Sequence, residues 1–77
     1  MDNSSIKQLL DLKETQGYLD LAELAKYYNN NTNAYKMLIK ATNVVEKSLF
    51  INKKEFLDVL HIAADRLYDE IFHTTQQ

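Results

Sequence analysis

The side chains best suited to chemistry are His61 and His73, and both stand among carboxylates. Asp58 and Asp65 lie three residues before and four after His61, and Asp69 lies four before His73. On a helix such spacing brings imidazole and carboxylate to one face, as in a metal site or a carboxylate-oriented base. The same spacing arises freely on any acidic helix. No metal ligand set is therefore assigned, and a pH-sensitive packing role for His61 is preferred. Carboxylate pairs such as Asp69 and Glu70 lack a positioned partner, and no Ser, His and Asp set is spaced for nucleophilic catalysis. The chain has no Cys, no Pro and one Gly. That removes thiol chemistry, thiolate metal sites, disulfides and glycine-rich phosphate loops. The expectation is a protein that is not an enzyme and uses neither metal nor cofactor.

Charge is the second chemical resource, and its sum of −2 conceals a division. Residues 21–54 carry six lysines against Glu23 and Glu46, a net +4, whereas residues 1–20 sum to −2 and residues 55–77 to −4. Within a Debye length a polyanion feels local charge, so the central segment suits a phosphate backbone. The plain alternative is a solvated helix surface.

These residues need elements to position them. Seventy-seven residues make one domain with a small core, and 45% hydrophobic with 26% charged residues is an ordinary globular composition. No apolar run has the length of a signal peptide core or a membrane span, so a cytoplasmic protein without membrane contact is expected. Apolar residues recur at helical spacing and breakers are nearly absent, which predicts a mainly α fold. The first helix is expected over about 4–14, with Asn3 or Ser4 as N-cap, Ile6, Leu9 and Leu10 on one face, and Gly17 reversing the chain. The second covers about 19–28, with Leu21, Leu24, Ala25 and Tyr28 as its core-facing stripe. The asparagine-rich run at 29–33 reads as a turn and a new N-terminus. The third helix, about 32–42, would turn Tyr35, Leu38, Ile39 and Thr42 inward and Asn33, Lys36, Met37 and Lys40 outward. Residues 44–51 read either as two very short strands around a turn or as a helix end plus loop.

Asn52 and Glu55 resemble a capping box that opens a last helix over about 52–73, before a tail expected to fray. This helix exceeds what so small a core can cover. Its far end, Ala64, Leu67, Tyr68, Ile71 and Phe72, is therefore the expected interface with a second subunit or another protein. Tyr28, Tyr35, Phe56, Tyr68 and Phe72 are assigned to the core. Tyr27 and Phe50 fall outside those stripes, and either would mark an interaction surface if exposed.

The stretch from Leu21 to Tyr28, an asparagine turn, and the stretch from Thr32 to Lys40 together resemble the helix-turn-helix of the excisionase and MerR-like winged-helix family. A small residue at the helix crossing (Ala25), a positive-φ residue four positions on (Asn29), and apolar anchors beneath the second helix (Tyr35, Leu38) carry the likeness. It continues into residues 49–60, which look like the strand and helix after the wing, and covers about residues 18–60. The resemblance implies one helix-turn-helix domain with a minimal hairpin wing over 44–51 and a long C-terminal helix. It further implies double-stranded DNA as partner, and a role in transcription regulation or as a recombination accessory factor. Asn33, Lys36 and Lys40 would then meet the major groove, with Asn30, Asn31 and Thr32 at the helix start near phosphate or base edges. Lys47 in the wing and Lys53 and Lys54 at the next helix would position the backbone. The rival reading is an all-α module of antirepressor, immunity or inhibitor type that binds a protein through its acidic last helix.

Overall fold

In a computed structural model that describes the backbone of residues 3–76 and the side chains of residues 5–73, the chain forms α1 (Asn3–Tyr27), α2 (Asn31–Glu46) and α3 (Lys53–Gln76). The mainly α expectation holds. The expected fraying of the tail concerns residues at the edge of this range: α3 runs to Gln76, and Gln77 lies outside it.

Two local expectations are corrected. Gly17 does not reverse the chain, because α1 runs through it without a break. A mid-helix glycine costs about 1 kcal/mol relative to alanine, and contacts on both sides of it outweigh that cost: Thr15 and Ala22 are buried. The strand alternative for residues 44–51 also fails, since no strand occurs among the described residues. Val44 and Val45 belong to α2, and Val45 is wholly buried, so tertiary burial overrides the β preference of branched side chains. The helix-end-plus-loop alternative is what forms.

The α1–α2 turn follows from its asparagines. Asn29 adopts φ 59°, its N–H donates to the Lys26 carbonyl at 2.9 Å, and the Asn30 N–H donates to the Ala25 carbonyl at 2.8 Å. These are the two bonds of a Schellman cap. Asn30 then caps the next helix, its side-chain oxygen accepting from the Asn33 N–H at 3.2 Å. The second connection is organised by Ser48, which is 3% exposed. Its hydroxyl donates to the Val45 carbonyl at 2.7 Å and accepts from the Phe50 N–H at 3.4 Å. Phe50 stacks on Phe56 with ring centroids 6.1 Å apart. The last helix starts just after Asn52, as the capping pattern implies, and the Asn52 carbonyl accepts from the Phe56 N–H.

The core is thin. Ala22, Ala34, Leu38, Val45, Leu60, Ala64 and Leu67 form its buried cluster, in which small side chains let α2 lie close to α1 and α3. Thr15 and Thr42 are buried with them, each hydroxyl donating to the carbonyl four residues earlier, Asp11 and Leu38, at 2.8 Å. Both α1 and α3 pack on α2, whereas no Cα of α1 lies within 8 Å of one of α3 among the described residues, and the two meet only at the side-chain level across depressions such as that between Ala22 and Leu67. Helices of 25, 16 and 24 residues are about 37, 24 and 36 Å long, so α1 and α3 outreach the middle helix. The molecule measures 54 × 22 × 13 Å with a radius of gyration of 14.0 Å, against about 11.5 Å for a compact chain of this length. It is an open layer of helices.

Candidate functional site

The side chains with acid, base or metal-binding chemistry are not assembled. His61 and His73 are exposed on α3, and no group of three His, Cys, Asp or Glu that could hold a metal occurs among the described residues. No helix there is long and apolar enough to cross a membrane.

Most of the expected DNA-contacting residues gather on α2. Asn30 and Thr32 are exposed and Asn31 half-buried at its start, followed by exposed Asn33, Lys36 and Lys40. Continuing at helical spacing, Asn43 and Lys47 are also exposed, so Lys36, Lys40, Asn43 and Lys47 share one narrow face. Lys40 lies over the Tyr18 ring, its Nζ 5.9 Å from the centroid. At the far end of the strip, Lys47 shares a surface depression with Lys7, Asp11 and Glu14, in which Asp11 is paired with Lys7 at 2.9 Å. Lys53 and Lys54 are engaged elsewhere: the Lys53 Nζ donates to the Ser48 carbonyl at 3.4 Å, and Lys54 pairs with Asp58 at 3.8 Å.

The setting of this strip is not the expected one. The end of α2 borders the first turns of α1, with Lys7 and Asp11 beside Asn43 and Lys47. The two helices thus lie side by side, antiparallel along the length of α2. In a helix-turn-helix the second helix crosses the first steeply and leaves its outer face projecting. Asn29 supplies the positive φ and Ala25 the small residue at the turn, but the wing is absent for the reason given above.

Comparison with protein-family models, with curated proteins and with solved structures finds no match.

The expected interface on α3 divides. Ala64 and Leu67 are buried against α2, Ile71 is half-buried, and Tyr68 and Phe72 are exposed. The Tyr68 ring bridges Tyr35 and Phe72, at centroid distances of 5.9 and 4.5 Å. Of the aromatics assigned to the core, Tyr28, Tyr68 and Phe72 are in fact exposed. Tyr27 is exposed, as an interaction residue would be, whereas Phe50 is half-buried in its stack.

A further surface feature lies on and just after α1. Leu21, Leu24 and Tyr28, expected in the core, are 50%, 53% and 71% exposed. Ile6, Leu9 and Leu10 are likewise exposed, as is Ile39 of α2. The side of α1 that α2 covers is instead Asp11, Thr15, Tyr18 and Ala22. Asp11 is held there by Lys7 at 2.9 Å. Periodicity had displayed the leucine face; its outward direction had no signal in the sequence.

Proposed function

We propose that this chain is a protein-interaction module that binds a protein partner through apolar helix surface, chiefly that of α1. One observation carries the reading: among the described residues, fifteen large hydrophobic side chains are exposed, while the buried ones larger than alanine are Leu38, Val45, Leu60 and Leu67. Seven of them lie on α1, and large exposed apolar patches on a soluble protein usually mark an interaction surface. Area points the same way. The chain exposes 5883 Å², whereas a compact monomer of its mass, 9.0 kDa, exposes about 4,850 Å².

Chemical crosslinking and co-isolation of the full chain test this. Leu21→Glu/Leu24→Glu should lose the crosslinked protein, while Lys36→Glu/Lys40→Glu should retain it; the reverse pattern would overturn the reading.

The strip of Lys36, Lys40 and Lys47 supports a second reading, DNA binding by α2 as the family resemblance implies. Overall charge of −2 and the side-by-side setting of α1 and α2 weigh against it. Fluorescence anisotropy of a mixed-sequence duplex between about 50 and 200 mM salt decides it. Binding that falls by about tenfold or more with salt and vanishes in Lys36→Glu/Lys40→Glu would establish DNA as the partner.

A further inference from the structure

Large apolar residues of the exposed α1 face flank Gly17 at equal distances, and we propose that this face pairs with α1 of a second copy of the chain, antiparallel, across a two-fold axis at that residue. This rests on the protein-interaction reading and names its partner.

Three observations converge. First, Gly17 sits inside a continuous helix with no contact inside the chain to explain it. A Cβ built there would meet nothing within 4 Å, and its φ is not positive. Glycine at such a position costs helix stability and permits close approach of another backbone. It lies on the same face as Leu10, Leu21 and Leu24, with Leu10 and Leu24 seven residues to either side.

Second, large apolar residues stand at equal distances on the two sides of Gly17, at seven residues (Leu10, Leu24) and at eleven (Ile6, Tyr28), while at four Lys13 falls level with Leu21. Antiparallel pairing centred on residue 17 sets Leu10 opposite Leu24 of the other copy, and Ile6 opposite Tyr28. Along one flank it also brings Lys13 beside Asp20, opposite in charge. A two-fold interface must be complementary to itself, and an unrelated partner would impose no such symmetry. The surface has matching relief: Leu21, Leu24, Tyr28 and Met37 line a depression at the end of α1, and it is Ile6 and Leu10 of the second copy that would reach it.

Third, the chain as a whole has uncovered area of the size an interface takes. The chain exposes roughly 1,000 Å² more than a compact monomer of its mass, and a standard interface takes about 800 Å² from each partner. Ile6, Leu10, Leu21 and Leu24 of this face are exposed.

The purified full chain tests this by itself, and the absence of cysteine makes disulfide mapping clean. Sedimentation equilibrium should give a mass approaching twice 9.0 kDa at high concentration, returning to the monomer value in Leu24→Glu. Gly17→Cys, which has room for its side chain, should oxidise to a covalent dimer, since a disulfide requires Cα atoms within about 7 Å. Leu10→Cys mixed with Leu24→Cys should give the mixed dimer, and Leu10→Cys alone should not. Lys13→Glu should weaken dimerisation about three- to fivefold, and adding Asp20→Lys should restore it. A chain monomeric at about 0.5 mM with no crosslink at residue 17 would overturn the proposal, as would crosslinking between two copies of Leu10→Cys, which means parallel pairing. A monomeric purified chain that still crosslinks another protein through α1 in cells would overturn the dimer and leave the interaction reading standing.

Discussion

At the scale of single residues, asparagine shapes the hairpin. Asn29 holds φ 59°, a conformation that costs an ordinary L-residue about 1–2 kcal/mol through its Cβ and that glycine, and to a lesser degree asparagine, tolerates. Asn29→Ala should therefore lower stability by about 1 kcal/mol in urea denaturation, while Asn29→Gly should be neutral or better. Asn30→Ala removes the oxygen that receives the Asn33 N–H and should cost a further 1 kcal/mol or so. Equal stability of Asn29→Ala and Asn29→Gly would mean that the left-handed turn is absent in solution. The positive φ at Asn29 and the helix start after Asn52 were legible in the sequence because each depends on a few neighbouring residues. Ser48 was not. Its role requires the Val45 carbonyl and the Phe50 N–H to converge on one hydroxyl, and that depends on where α2 stops.

At the scale of elements, the helical period was legible and its direction was not. On α1 the leucine-rich face points to solvent, while Thr15, Tyr18 and Ala22 meet α2. The period marks which residues share a face, but a neighbour chooses the face by fit. Small and hydroxylated residues admit a close helix, and Ala34, Ala41 and Thr42 are buried on α2. Gly17 misled for a related reason: alone, glycine favours a helix end, but packing on either side of it keeps α1 continuous. This assignment has a direct consequence for stability. Leu21→Glu/Leu24→Glu should change the unfolding free energy of the monomer by no more than about 0.5 kcal/mol per site, whereas Leu38→Ala or Leu67→Ala should cost about 2–5 kcal/mol. A large loss in the Leu21/Leu24 variant, read by urea denaturation at a concentration where the chain is monomeric, would place those leucines in the core.

At the scale of the whole molecule, three helices in an open layer leave α1 and α3 each covered on one side only. That arrangement explains both the elongation of 54 Å and the apolar side chains left in water. Small-angle scattering from the monomer should give a radius of gyration well above the roughly 11.5 Å of a compact chain of this length; a value at the compact limit would mean that α1 and α3 close on each other. The helix-turn-helix resemblance rested on residues that do form the turn, yet the turn joins helices that run alongside one another, so its residues alone do not carry the DNA reading. The central claim is that α1 is a protein-binding face. Site-specific photocrosslinking of the full chain in cells, with the photoreactive side chain placed at Leu21 or, separately, at Lys36, tests it most directly. A discrete protein adduct from Leu21, this chain or another, with none from Lys36, is the predicted result; nucleic-acid adducts from Lys36 with none from Leu21 would contradict it.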